Sequence, residues 1–329
     1  MSKPIPDPQP LGIVSVTKGP YACDGQECYE VQVNCQQISR SEGAVIKVGE
    51  RTSQSDKGTI LFFTGWIGDY YWEDAVETAV TNRLIDIEEH NRVSAVTNNN
   101  EILNNLRMNG FRTVQLKWDR NWFEAEPGQV EGMARLACKP ASAAKWVFDN
   151  IHKQNENQPY CATGHSNGAS QVSYSLSHYG LVNLFSTVVL EGGPNMSYVE
   201  HACIHDNQDF QDIQADQDER NTFDWSFGFP NDGSGPCAQK DIAYQDDFKE
   251  ASLISYKGDY FFPETRIIFI IGGDDTTTTA AQAAYFYKKL GQMGTQNTSW
   301  EEIPGAPHFV TSTTEGAQAM QQALLNNCQ

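Results

Sequence analysis

The most constraining feature of this chain is the pentapeptide Gly164-His165-Ser166-Asn167-Gly168, which lies between a short apolar run and a segment able to form a helix. A strand, a G-x-S-x-G turn and a helix form the arrangement in which a serine sits in a sharp, strained turn and presents its Oγ at the end of the strand. The flanking glycines let the strand and helix backbones pass where a Cβ would clash. The pentapeptide alone also fits an ordinary glycine-serine loop, so other parts of the chain must distinguish the two.

A serine in this position needs a base, because an unassisted hydroxyl is a poor nucleophile, and the base needs an orienting acid. In this layout the acid and then the base follow the serine along the chain. His308 is the one histidine that follows Ser166 by more than about forty residues, and it lies in a loop with Gly305 and Pro307 before a final helix-compatible segment. We therefore predict His308 as the base; the alternative is an ordinary loop histidine.

The acid is expected where a strand ends between Ser166 and His308. Residues 265–271 form the most apolar β-branched run of the chain, which is typical of a strand buried on both faces. The run stops at Gly272-Gly273 and is followed by Asp274 and Asp275. Asp275 is the preferred acid because such loops commonly read G-x-x-D, and Asp274 is the alternative. The carboxylate that is not the acid would be a turn former.

These pieces resemble the α/β-hydrolase superfamily, in its secreted serine esterase and lipase-like form. The order Ser166, Asp275, His308 and the alternation of strands and helices both match, and they span most of the chain. The resemblance implies an α/β class, α/β-hydrolase fold, with a mostly parallel central sheet, helices on both faces and a lid-like insertion. It implies acyl transfer through a covalent acyl-enzyme. It supplies no substrate, because the fold hosts esterases, lipases, peptidases and thioesterases.

The remaining elements are placed on the same frame. Strands are predicted over residues 58–63, 111–118, 160–163, 185–190, 265–271 and 298–303. Helices are predicted over 101–108, 280–290 and 315–326, and within 130–152 with a break at Pro140. The stretch to about residue 50 is expected to add antiparallel strands at the sheet edge. The length suits a single domain over 1–329, in which 195–263 is a lid- or cap-like insertion and 72–100 a second, polar one.

The loop after the predicted strand 58–63 is expected to carry part of an oxyanion hole. The superfamily places the first N–H donor there, often beside a His-Gly pair, and Thr64-Gly65 occupies that place in this chain. The backbone N–H groups of Trp66, with Ile67 next, and of Asn167 are the predicted donors, each worth roughly 3 kcal/mol to the transition state.

Apolar and aromatic residues near the C-terminal edge of the sheet are predicted to bind the substrate, because ligands of open α/β sheets bind at that edge. They are Ile67, Tyr70, Tyr71, Trp118, Trp122 and Trp225. Trp225 belongs to an aromatic cluster at residues 223–230 of the insertion, and the alternative role of that cluster is to form the small core of the insertion itself.

Eight cysteines without paired zinc spacing favour disulfides over a metal site. We expect a bridge between Cys203 and Cys237 and one bridge among Cys23, Cys28 and Cys35. Oxidised cysteines indicate a secreted or periplasmic protein. The first ten residues lack the apolar core of a signal peptide, so we expect a leader to have been removed; the alternative is a cytosolic chain with free thiols.

The net charge and the motifs that are missing from the sequence argue against several kinds of ligand. A net charge of −19 argues against nucleic acids, anionic membranes and polyanionic substrates. No apolar run is long enough to span a bilayer. A metal at His201, His205, Asp206 and Asp209 is not expected, because the segment lacks H-E-x-x-H. We expect no metal and no cofactor, and the sequence leaves the oligomeric state open.

The sequence therefore predicts a serine hydrolase that cleaves carboxylic esters, with hydrophobic, aromatic or polymeric esters as candidate substrates. A peptidase or a thioesterase on the same fold is the close alternative. A non-catalytic binding protein with this fold is a further alternative from a different class.

Overall fold

The computed structural model describes residues 6–74, 89–153, 157–205 and 207–329. Within these ranges nine strands form one sheet in the order β1-β2-β3-β5-β4-β6-β7-β8-β9. Their bounds are β1 Ile13–Cys23, β2 Gln26–Asn34, β3 Glu42–Gly49, β4 Gly58–Phe63, β5 Phe111–Trp118, β6 Tyr160–His165, β7 Thr187–Glu191, β8 Arg266–Gly272 and β9 Thr298–Ile303. Strands β4 to β9 run parallel, and β1 to β3 extend the sheet as antiparallel strands at one edge, as predicted.

The α-helices mainly follow the parallel strands. They are α1 Glu89–Met108, α2 Met133–Leu136, α3 Cys138–Val147, α4 Asn167–Ser177, α5 Val199–Ile204, α6 Gln217–Asp224, α7 Gln245–Ala251, α8 Thr278–Met293 and α9 Thr314–Asn327. Helix α1 follows β4, α4 follows β6 and α8 follows β8, which is the alternation expected of a parallel sheet with crossover helices.

The hydrophobic core lies on both faces of the sheet. Successive side chains of a strand point to opposite faces. In β4, Ile60 and Phe62 pack in a cluster with residues of α1 and α9, whereas Leu61 and Phe63 pack with residues of α3, α4 and α8. Because both faces are covered, the inner parallel strands β4, β6, β7 and β8 are buried at nearly every position rather than at alternate ones. The predicted α/β architecture is therefore confirmed.

Two predicted helices differ from the structure. The break expected at Pro140 falls earlier, between the end of α2 at Leu136 and the start of α3 at Cys138. Pro140 lies in the first turn of α3, where a proline is tolerated because an N–H group there has no intrahelical partner. Helix α1 begins at Glu89 rather than at residue 101. Of the predicted polar insertion 72–100, residues 75–88 lie outside the described residues.

All eight cysteines form disulfides: Cys23–Cys28, Cys35–Cys138, Cys161–Cys328 and Cys203–Cys237. The predictions for Cys203–Cys237 and for one bridge among the first three cysteines are confirmed. The Cys161–Cys328 bridge ties β6, the strand that leads into Ser166, to the end of α9. No helix in the described ranges is both long enough and apolar enough to cross a lipid bilayer.

Residues 195–263 connect β7 to β8, and their described part contains the short helices α5, α6 and α7. The start of this segment is bonded to α4, because Ser170 Oγ donates to Asn195 Oδ1 at 2.6 Å and accepts from the Asn195 N–H at 3.1 Å. The segment is thereby held next to the turn between β6 and α4.

Candidate active site

Ser166 lies in the turn between β6 and α4. Its backbone has φ 53° and ψ −116°, a conformation that is costly for any residue with a side chain. A Cβ on Gly164 would clash with the backbone of Gly168, and a Cβ on Gly168 would clash with the carbonyl of Phe63 in β4. The two glycines are therefore required by the close approach of strand and helix, and the strained turn presents the Ser166 hydroxyl at the edge of the sheet.

Ser166, His308 and Asp275 form a continuous hydrogen-bond chain. His308 Nε2 lies 2.9 Å from Ser166 Oγ, and His308 Nδ1 lies 2.8 Å from Asp275 Oδ2. The second carboxylate oxygen of Asp275 accepts from the N–H and the hydroxyl of Thr277, at 2.9 and 2.7 Å. These distances are those required for a nucleophile, its base and an orienting acid.

The two neighbouring aspartates have different environments. The Asp275 side chain is 0% exposed. Burial acts to raise the pKa of Asp275, but the hydrogen bonds from His308 and Thr277 outweigh burial and lower this pKa, so the carboxylate is ionised at neutral pH. Asp274 is exposed, and its N–H donates to the Ala306 carbonyl at 2.9 Å. The geometry therefore joins Asp275, and not Asp274, to His308.

The loop that carries Trp66 contacts this turn directly. A Cβ on Gly65 would lie 2.9 Å from His165 Cδ2 and 3.3 Å from Ser166 Cβ. Asn167 Nδ2 donates to the Trp66 carbonyl at 3.0 Å, which ties the loop to the start of α4. Asn167 is the first residue of that helix, so its backbone N–H has no intrahelical acceptor. Trp66 and Asn167 therefore lie together next to the nucleophile turn.

A cavity of about 340 Å³ opens beside Ser166 and His308. One part of its lining is apolar or aromatic and the other part carries carboxylates, hydroxyls and amides. The apolar and aromatic residues are Trp66, Tyr70, Met196, Phe223 and Phe309; the polar ones include Asp216, Asp218, Glu219, Thr222, Thr277, Thr278, Asn167 and Asn195. All three carboxylates of this lining and two of its aromatic or apolar residues, Met196 and Phe223, come from the 195–263 segment.

Of the six predicted substrate-binding residues, Tyr70 lines the cavity and the other five do not. Trp118 and Trp122 are 1% and 0% exposed. The backbone N–H of Trp118 donates to the Gly68 carbonyl at 2.8 Å, and the backbone N–H of Trp122 donates to the Ile67 carbonyl at 3.2 Å. The prediction for these two tryptophans is corrected: they support the Trp66 loop from beneath.

Ile67, Tyr71 and Trp225 also lie outside the cavity lining. Ile67 is partly buried against the larger core cluster. The Tyr71 ring faces the ammonium groups of Lys47, at 4.5 Å from the ring centroid, and of Lys117, at 5.5 Å. Trp225 packs edge-on against Trp66, with ring centroids 6.1 Å apart. Trp225 therefore supports a cavity residue without lining the cavity.

The aromatic cluster at residues 223–230 is divided between the cavity and the hydrophobic core. Phe223 lines the cavity. Phe227 packs against Phe248 of α7, with ring centroids 5.1 Å apart, and both rings belong to the larger core cluster of the molecule. The cluster therefore does not form a small core of its own.

Several cavity residues were not found from the sequence. Thr277 follows Asp275 by two positions, a spacing typical of an aspartate that bonds its own turn, so its contact had a local signal. Met196, Asp216 and Glu219 had none, because the path of the long insertion brings them to the site. The described residues hold no group of three or more metal-binding side chains. Of the His201 segment, Asp206 lies outside the described residues.

Solved structures of esterases share this architecture. Brefeldin A esterase, a bacterial homologue of human hormone-sensitive lipase, superposes with a TM-score of 0.56 at 11% identity, over 95% of this chain and 79% of that chain. A thermostable carboxyl esterase from Bacillus coagulans superposes with a TM-score of 0.53 at 13% identity, over 91% of this chain and 97% of that chain. A truncated carbohydrate esterase from gut microbiota superposes with a TM-score of 0.51 at 15% identity, over 87% of this chain and 90% of that chain. No protein-family model matches the sequence, and a search of curated proteins finds no match. At such identities the similarity establishes the fold, and this chain has the fold of the α/β-hydrolase superfamily.

Proposed function

We propose that this protein is a serine hydrolase that cleaves carboxylic esters through a Ser166–His308–Asp275 triad and an acyl-enzyme intermediate. The observation that carries the proposal is the hydrogen-bond chain from Ser166 Oγ through both nitrogens of His308 to the buried Asp275 carboxylate. Ser166 and His308, at one end of this hydrogen-bond chain, line a cavity large enough for a small organic ligand. The esterases among the structures of the same fold support the reaction class.

In the first half-reaction Ser166 Oγ attacks the ester carbonyl carbon while His308 Nε2 accepts the hydroxyl proton. The carbonyl oxygen becomes an oxyanion, and the backbone N–H groups of Trp66 and Asn167 are the proposed donors to it. The tetrahedral intermediate then collapses, the C–O bond to the alcohol breaks, and His308 returns the proton to the leaving oxygen. Asp275 keeps Nδ1 protonated and stabilises the imidazolium.

In the second half-reaction water repeats these steps on the acyl-enzyme. His308 removes a proton from the water, the resulting hydroxide adds to the acyl carbon, and the bond to Ser166 Oγ breaks as His308 returns the proton to it. The products are a carboxylic acid and free Ser166. In the proposed cycle every transferred proton passes through His308, and no step calls for a cofactor.

The cavity lining supports an ester with a hydrophobic or aromatic part and without negative charge. Trp66, Tyr70 and Phe223 offer an apolar surface, and Asp216 and Glu219 stand on the polar side. We further propose that residues 195–263 act as a cap over the site, because they supply both kinds of lining. The four disulfides support an oxidising compartment, either extracellular or periplasmic.

The proposal is tested with nitrophenyl esters of increasing acyl length. We expect measurable turnover by the wild type, and a loss of at least about 10⁴-fold in kcat for Ser166→Ala, because the nucleophile is removed. An unchanged thermal unfolding curve of the variant would exclude misfolding as the cause. Absence of turnover for the whole series, or equal turnover by Ser166→Ala, would contradict the proposal.

A further inference from the structure

A buried carboxyl and a buried imidazole lie directly behind the nucleophile turn, and the proposed mechanism uses neither. Glu191 ends β7 and His165 ends β6, and the register of the two parallel strands pairs these residues. They are 1% and 2% exposed, and His165 Nδ1 lies 3.7 Å from Glu191 Oε1. Because ionisable groups are rarely buried without a compensating role, the pair needs an explanation.

Glu191 is bonded to both chain segments that carry the reacting groups. Its backbone carbonyl accepts from the Ser166 N–H at 2.8 Å. Its side-chain Oε1 accepts from the N–H of Thr311 at 3.0 Å, three residues after His308. The next residue, Gly192, is so close to the base that a Cβ there would lie 3.4 Å from His308 Cε1. Glu191 therefore connects the nucleophile turn to the loop of the base.

The charge of Glu191 is not neutralised by its neighbour. The His165 ring stacks on Phe309 at a centroid distance of 3.9 Å and lies 5.0 Å from the His308 ring. Burial, and then the charge of His308, lower the pKa of His165 well below its usual value, so His165 stays neutral. The titratable groups that face Glu191 are His165 on β6 and His308 on the loop before α9, whereas β8 places Ile270 beside it.

We propose that Glu191 is a positioning residue that fixes the His308 loop against the nucleophile turn and whose carboxylate stabilises the imidazolium formed at His308 during acyl transfer. The inference rests on the proposed function. An ionised carboxylate favours a nearby cation, and it does so more strongly in a buried site than in water. Burial raises the pKa of Glu191 to about 7, against the opposing effects of the bond from Thr311 and of His308. The stabilising charge is therefore present above neutral pH and lost below it.

The test compares wild type with Glu191→Gln, which keeps an oxygen for the Thr311 N–H and removes the charge. The second-order rate constant for labelling of Ser166 by a fluorophosphonate is measured between about pH 5.5 and about pH 9. We expect the wild-type to variant ratio to be near one at the acid end and to rise to about tenfold above neutral pH, which corresponds to 1.4 kcal/mol of lost stabilisation. A ratio that stays constant with pH would overturn the inference. Glu301→Gln, at an exposed position of the edge strand β9, is the control.

Thermal unfolding separates this role from a merely structural one. The folded-state pKa of Glu191, about 7, lies above the unfolded value of about 4.3, so between these values the folded state binds more protons and wild-type stability falls as pH rises. Glutamine does not titrate, so the Tm of Glu191→Gln relative to wild type should rise across the same window. A Glu191→Gln variant that is labelled more slowly by the same factor at every pH, and is less stable than wild type at every pH, would show that Glu191 only supports packing.

The same measurements distinguish the two proposals. If the wild type reacts with the probe at Ser166 but hydrolyses no ester, the substrate class is wrong and the pH-dependent ratio still decides the role of Glu191. If Ser166 of the wild type does not react at all, both proposals are overturned. Glu191→Leu, which also removes the acceptor for Thr311, should label more slowly than Glu191→Gln at all pH values; equal rates would overturn the positioning through Thr311.

Discussion

The two adjacent aspartates after β8 show how the environment of a residue determines which contacts its side chain can make. The two side chains are identical, but Asp275 is buried and bonded to His308 and Thr277, whereas Asp274 is exposed. Only the buried carboxylate is in position to hold Nδ1 of the base. The choice between them is therefore a direct test of the proposed roles.

We expect Asp275→Asn to lower kcat by about 10⁴-fold, because an amide at this place favours the wrong histidine tautomer and removes the charge that stabilises the imidazolium. Asp274→Asn is the matched control and should change kcat by less than about twofold, as is usual for an exposed position. Both variants are compared with wild type using one nitrophenyl ester. Loss of activity in Asp274→Asn with retention in Asp275→Asn would reverse the assignment.

The sequence located the candidate residues that a local motif or the chain order marks, and it did not locate those that only tertiary packing brings to the cavity. Ser166, His308 and Asp275 were each marked by a turn or by the end of a strand, and the structure brings them together. Trp118 and Trp122 were placed at the correct edge of the sheet, but no sequence pattern tells whether a tryptophan there faces the cavity or the core. The direction in which such a side chain points depends on the neighbours that pack against it, and these neighbours are known only from the structure.

At the scale of elements, strands were predicted more accurately than helices. β4, β5 and β9 have the predicted bounds, because each is a short run ended by turn residues. Helix α1 begins twelve residues before its prediction, since its first part is polar and shows no apolar period. The disulfide partners Cys161 and Cys328 are 167 positions apart, so their pairing follows only from the packing of α9 near β6.

The Cys161–Cys328 bridge should contribute more stability than the Cys23–Cys28 bridge. The sequence separations are 167 and 5 residues, so the first closes a much larger loop in the unfolded chain. We expect the double alanine variant of the first pair to lose about 5 kcal/mol of unfolding free energy and that of the second pair about 2 kcal/mol. Urea unfolding under oxidising conditions measures both. Equal losses, or the reverse order, would contradict the expectation.

At the scale of the whole molecule, we expect the negative charge and the segment 195–263 to influence which esters reach the proposed site. The net charge is −19, and Asp216, Asp218 and Glu219 add carboxylates to the cavity lining. The overall charge could be read from the sequence. The placement of these three residues could not, because no local sequence pattern predicts the path of the segment 195–263 to the cavity.

We therefore expect discrimination against anionic esters. Between esters of matched size, an anionic one should have a kcat/KM about tenfold or more below that of a neutral one at low salt, and the difference should shrink at high salt because exposed charges are screened. Asp218→Asn, a change at an exposed lining residue, should reduce the discrimination without abolishing turnover of the neutral ester. A preference for the anionic ester, or a difference that salt does not change, would contradict this electrostatic account.

The central claim, that Ser166 is an activated nucleophile, is tested most directly by identifying the residue that a fluorophosphonate modifies. The intact protein is treated with the probe, digested and analysed by mass spectrometry, with Ser166→Ala and heat-denatured wild type as controls. We predict one adduct per chain on the peptide that contains Ser166, and none in either control. An unmodified wild type, or an adduct on another residue that persists in Ser166→Ala, would contradict the account.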